Sequence, residues 1–198
     1  AAHGQLGHGD RLRRTQPTRI EELNGLSFEA ISCGDKHACV VTSEGYVITW
    51  GCPENGRLGR GPDKNPSPSA VDTITQNIDR WGKPIDVSCG VDYTAVITDT
   101  GKVLTWGRGD GGQLGLDSTT SQEVPCQVGI FGEGDVRAHR ISCGSQCTAV
   151  CTGNGEIYAW GSPRVLDLTE VAESALTPIK LSLYTPESEI KYKAVSAA

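Results

Sequence analysis

Residues 88–107 read SCGVDYTAVITDTGKVLTWG. Thr94–Thr98 and Lys102–Trp106 are short β-prone runs, and Asp99-Thr100-Gly101 between them is a turn. Strand, glycine turn, strand is a β-hairpin, in which the glycine adopts the positive φ that other residues resist. Both runs are apolar at neighbouring as well as alternate positions. A strand with one wet face would alternate cleanly, so this hairpin is expected to be covered on both faces.

The same text recurs in register. Ser-Cys-Gly starts at Ser32, Ser88 and Ser142, and Trp-Gly follows at Trp50, Trp106 and Trp160; both intervals are 56 and then 54 residues. The turn glycines Gly45, Gly101 and Gly155 keep that step. Gly-x-Leu-Gly occurs at Gly4, Gly56 and Gly112. Hairpins are expected at 38–50 and 148–160 as at 94–106. A further strand precedes each (Phe28–Cys33, Ile85–Cys89, Arg140–Cys143), and an outer connection carries Pro17, Pro68 or Pro125. A long repeat of about four strands is the pattern of a propeller blade. The fold class is therefore all-β: a partial β-propeller of four-stranded antiparallel blades, with three repeat units plus fragments at both ends. The units run approximately 1–51, 52–107 and 108–161, with a partial unit at 162–198.

Composition agrees. The 198 residues include 25 Gly, 10 Pro, 8 Cys and no Met, with 18 Lys and Arg against 24 Asp and Glu, a net charge of −6. Glycine at nearly twice its usual share argues against a helical bundle. An acidic chain without a basic stripe is a poor holder of nucleic-acid phosphates, so no direct nucleic-acid partner is expected. The apolar runs are too short to span a bilayer, so no membrane partner is expected either. The lack of Met reads as a fragment or a processed product.

The motifs Ser88-Cys89-Gly90, Gly101-x-Val103, Trp106-Gly107 and Gly112-Gln113-Leu114-Gly115, with their counterparts over residues 4–161, resemble the regulator of chromosome condensation repeat. That family of seven-bladed propellers is named after the chromatin-bound exchange factor for the Ran GTPase. Its members include exchange factors, ubiquitin-ligase domains, ciliary proteins and a light sensor, so the resemblance implies a scaffold rather than an activity. It implies about half of a ring, with the remaining blades coming from the same or a companion chain. The sequence departs from the family pattern in two places. The column that often holds His reads His37, Tyr93 and Cys147. No Gly-x-Leu-Gly follows Trp160-Gly161, where Val165, Leu168, Ala172 and Leu176 have approximate helical spacing, expected as a short helix or covering loop. The register then returns at Val195–Ala198.

No catalytic constellation stands out. Cys33, Cys89 and Cys143 share one column and read as packing residues in a reducing, intracellular compartment. Cys143, Cys147 and Cys151 would be strung along a strand, too far apart for one tetrahedral metal. Gly107-x-Gly109-x-x-Gly112 lacks the following helix that a dinucleotide site needs, and no cofactor or metal is expected. Arg108-Gly109-Asp110 reads as a variable turn. The turns after Cys-Gly are the candidate partner-binding residues by the family resemblance: Asp35, Lys36, His37, Asp92 and Tyr93, on one rim. In that reading Asp92 is a surface charge whose reversal weakens binding while leaving stability little changed. The expected function is a noncatalytic scaffold that binds another protein. Two alternatives stay open: guanine-nucleotide exchange on a small GTPase, and a propeller domain of a larger ubiquitin ligase or kinase.

Overall fold

A computed structural model describes residues 2–162 and 175–181. It contains three sheets of four antiparallel strands, each in chain order. Blade 1 comprises β1 (Phe28–Cys33), β2 (His37–Thr42), β3 (Val47–Gly51) and β4 (Ser69–Ala70). Blade 2 comprises β5 (Pro84–Cys89), β6 (Tyr93–Thr98), β7 (Val103–Gly107) and β8 (Gln122–Gln127). Blade 3 comprises β9 (Ala138–Cys143), β10 (Cys147–Thr152), β11 (Ile157–Gly161) and β12 (Ala175–Lys180). Two short helices, α1 (Asp72–Gln76) and α2 (Ile78–Trp81), lie in the link between blades 1 and 2. The architecture is the partial propeller that the repeat implies. No described helix is long and apolar enough to cross a membrane.

The hairpins keep the repeat register residue for residue: Ala38 pairs Trp50, Thr94 pairs Trp106 and Thr148 pairs Trp160. Every residue of β6 and β7 is buried, as expected for strands covered on both faces. One expectation is corrected. Leu176 lies in β12, in neither a short helix nor a covering loop, because β11 offers an open row of hydrogen-bonding groups that Ala175–Lys180 fills. Pro178 is tolerated there because it stands on the outermost strand of the sheet. Val165, Leu168, Ala172 and Val195–Ala198 lie outside the described residues.

The blades are joined by two apolar clusters. Cys39, Val41 and Val47 of blade 1 meet Val87, Val96, Leu104 and Trp106 of blade 2. Ala95, Ile97 and Val103 of blade 2 meet Ile141, Val150, Tyr158 and Trp160 of blade 3, with Phe131 stacked edge-on against Tyr158. Over each tryptophan lies the Gly-x-Leu-Gly loop that arrives from the preceding unit. The Trp50, Trp106 and Trp160 indole N–H groups donate to the carbonyls of Gln5, Arg57 and Gln113 at 3.1, 3.0 and 2.9 Å. The last glycine of the loop lies flat on the ring. A Cβ at Gly59 would stand 2.6 Å from the Trp106 indole nitrogen, so no larger residue fits.

Trp106→Ala removes both the cluster contact and the anchor of the crossing loop. It is expected to cost about 3–5 kcal/mol, the range for large aromatic truncations in cores. A urea midpoint unchanged from wild type would show that the indole does not hold the two blades together.

Candidate functional site

At one end of the strands the three Cys-Gly turns stand side by side and surround an open depression of about 290 Å³, which reaches Asp35, Val91 and Ser145. Serine of one blade fixes the next: the Ser32 hydroxyl accepts the Cys89 N–H, and the Ser88 hydroxyl accepts the Cys143 N–H, each at 2.9 Å. The glycines allow this approach. A Cβ on Gly34 would lie 2.3 Å from the Gly90 carbonyl, and one on Gly90 would lie 2.7 Å from the Gly144 carbonyl. The lining is thus mostly backbone and small side chains, held in place by the ladder behind it.

The five residues singled out in the sequence separate into two layers. Asp35 is exposed and Lys36 half-buried, and they form an ion pair at 3.6 Å. His37 and Tyr93 are buried behind the turns, where they tie one blade to the next. His37 Nε2 lies 2.9 Å from the Thr94 hydroxyl, and that hydroxyl in turn donates to the Arg57 carbonyl at 3.1 Å. The network therefore places the proton of a neutral imidazole on Nε2, which leaves Nδ1 buried without a partner. The Tyr93 phenol donates to the Cys147 carbonyl and accepts from the Thr148 hydroxyl at 3.0 Å. These rings face the neighbouring blade because they open the second strand of their own sheet.

Asp92 is not the independent surface charge that its turn suggested. Its side chain is only 15% exposed and lies 2.7 Å from Arg57 Nη1 and 3.4 Å from Arg108 Nη1. Arg57 is fully buried, and its Nε–H donates to the Glu54 carbonyl at 2.8 Å. Its sequence signal was available: Arg57 fills the variable position of Gly-x-Leu-Gly, where the other units carry Gln5 and Gln113. A charge in that buried column requires a counter-charge, and Asp92 provides it. Arg108 closes the Arg-Gly-Asp turn on itself, with Nε and Nη2 donating to the two Asp110 oxygens at 2.8 and 2.6 Å.

Of the three cysteines that line the depression, Cys33 is exposed, while the buried Cys89 and Cys143 are poor nucleophiles. Burial pushes the Cys143 thiol up to about 12 and raises Cys89 as well, so neither is a thiolate near neutrality. The described residues bring together no group of three or more His, Cys, Asp or Glu able to hold a metal ion.

Two outcomes follow from this geometry. Burial, then the nearby Arg57 charge, outweigh Asp92 and Asp35 and push the His37 pKa from 6.5 down to about 4. Below pH 6.5 the unfolded chain takes up a proton that the folded one resists. The stability present above 6.5 is therefore lost as pH falls towards 4, by about 3 kcal/mol in all. His37→Tyr, which copies the Tyr93 arrangement, should flatten that part of the urea-midpoint profile; an unchanged slope between pH 7 and 4.5 would refute the buried neutral imidazole. Asp92→Asn should destabilise by about 3 kcal/mol, because it leaves the buried guanidinium with only the exposed Glu54 carboxylate, 4.0 Å away. A thermal midpoint within error of wild type would contradict that role.

Known proteins match in the same register. The family model of the Regulator of chromosome condensation (RCC1) repeat matches residues 1–41, 44–97 and 100–151. The Ultraviolet-B receptor UVR8 of Arabidopsis thaliana is 34% identical over 163 residues, which cover 80% of this chain and 35% of that protein. Serine/threonine-protein kinase Nek9 of Mus musculus is 34% identical over 159 residues, 80% of this chain and 16% of the kinase. The chain thus spans well under half the length of these relatives. Among solved structures, Prp20p from Saccharomyces cerevisiae, described with its binding to Gsp1p and histones, superposes with a TM-score of 0.69 at 18% identity. That match covers 88% of this chain and 42% of Prp20p. With the repeat model matched three times over most of its length, the chain belongs to the regulator of chromosome condensation repeat family.

Proposed function

We propose that this chain is a noncatalytic scaffold on which another protein docks, over the depression between the Cys-Gly turns. One observation carries this reading: the backbone and small side chains of three blades converge on an open surface, while the reactive groups behind it are committed to holding the blades together. Asp35 and Lys36 stand at its edge, free of the blade-to-blade network, and are the polar contacts of choice for a partner. The open flank of blade 1 supports a second contact with further blades of the same kind, from this protein or a companion. Ile31 there is 68% exposed, whereas Val87 and Ile141 in the same column are 6% and 8% exposed beneath the preceding blade.

The likeness to Prp20p supports a second reading, in which the partner is a small GTPase and the scaffold opens its nucleotide pocket. Charge reversal of both edge residues, Asp35→Lys with Lys36→Glu, leaves the buried network intact. Affinity capture with this variant should lose the partners that wild type retains, at an unchanged thermal midpoint. Retention of every partner would overturn the rim as the docking surface. Release of labelled GDP from a panel of small GTPases separates the two readings: acceleration by the protein selects exchange, and none leaves the plain scaffold.

A further inference from the structure

The 198 residues contain one place where two Lys or Arg residues are adjacent, Arg13-Arg14, and Arg11 lies two positions before the pair. The structure sets this pair in the segment Asp10–Thr18, which has neither helix nor strand and bends at Asp10 and at Thr15-Gln16. From His8 to Arg19 no backbone group bonds to another backbone group; among the described residues the segment is held only by local contacts such as Leu12 N–H to Asp10 and Thr18 Oγ to Gln16. Every residue from Arg11 to Arg19 is exposed apart from Arg14, which is half-buried, and Leu12 is 65% exposed. Pro17 further excludes the segment from regular structure by removing an N–H.

Proteases bind their substrates as extended strands and need several consecutive residues free of backbone pairing; the segment has no backbone pairing to lose, so only its bend at Thr15-Gln16 must straighten, without unfolding a blade. An acidic specificity pocket then selects a basic side chain before the cut. We propose that the Arg14–Thr15 bond is a processing site for a serine protease that reads paired arginines. Water adds across the peptide bond, so that Arg14 becomes a carboxylate terminus and Thr15 acquires the α-amino group. Arg13 and Arg14 occupy the two pockets nearest the cut and Arg11 the fourth. The ties to break first both end on Asp10: the Arg14 ion pair at 2.6 Å, partly open to water and correspondingly weak, and the exposed Leu12 N–H bond at 2.9 Å. The cut separates blade 1 from Gln5 and Gly7, which cover the Trp50 indole.

The test treats the whole native chain with a subtilisin-like protease specific for paired basic residues, and reads new N-termini by mass spectrometry. The first product should begin at Thr15, about tenfold or more ahead of any cut within the strands, which must open before a protease can bind them. R13Q/R14Q should abolish it at an unchanged thermal midpoint, and Thr15→Pro should block it with both arginines retained. A native chain that stays intact while a synthetic peptide of residues 8–20 is consumed would overturn the proposal. So would a first cut elsewhere, or cleavage of the proline variant at this bond.

Discussion

The indole of each repeat tryptophan lies under a loop that belongs to the unit before it, and it gives that loop's carbonyl the hydrogen bond that the carbonyl needs once buried. The bond is modest by itself, but an unpaired N–H or carbonyl at that depth would cost more than the bond supplies, so loop and ring are obliged to stay together. Glycine over the ring is the other half of the constraint. The Thr105 hydroxyl adds a donation to the Leu114 carbonyl at 2.7 Å, and Thr49 does the same for Leu58 at 2.8 Å. A crossing loop is thereby fixed at both of its central residues, and the strands on either side inherit a fixed separation. The Cys-Gly turns can approach within van der Waals distance because that separation is already set.

Much of this was legible because each element answers the same physical demand in every unit. Trp106 must be buried wherever the loop crosses, Gly59 must lack a side chain wherever the ring lies beneath it, and a two-sided apolar run such as Thr94–Thr98 has no alternative to burial between blades. The failures share a different origin. Asp92 looked like a free rim charge because its counter-ion, Arg57, arrives on a loop from the preceding unit. Nothing near Asp92 in the chain announces that arrival. His37 and Tyr93 were placed on the rim by their position in a turn, whereas a residue that opens a strand points across the sheet to the next blade. Leu176 was assigned by a spacing of three and four, which a short stretch satisfies by chance; the vacant edge of β11 decided its conformation instead.

The candidate surface is therefore thinner than the sequence suggested. Its chemistry is that of backbone groups, the Cys89 and Cys143 thiols kept protonated by burial, the exposed Cys33 and two edge charges. Such a surface favours recognition by shape, with affinity drawn from a large, well-fitted contact rather than from a few strong polar bonds. A family that keeps its interior rules and varies its turns can present different outlines without altering how its blades adhere, and the same scaffold can serve relatives as unlike as a light receptor and a kinase.

The column occupied by His37, Tyr93 and Cys147 makes the joints between blades chemically unequal. Blade 1 is fastened to blade 2 by an imidazole and by a buried guanidinium with its carboxylate, whereas blade 2 is fastened to blade 3 by a phenol and by the neutral Gln113 loop. In a repeat array, overall stability is the sum of unit and neighbour terms, so unequal joints come apart in sequence rather than together. The first joint loses stability as pH falls below 6.5, because His37 resists its proton; at the second, burial raises the pKa of Asp86, which faces His139, Arg140 and Ile141 of blade 3, so acid removes no stability there. Acid should accordingly part this arc at one predetermined seam, freeing blade 1 while blades 2 and 3 remain a single body.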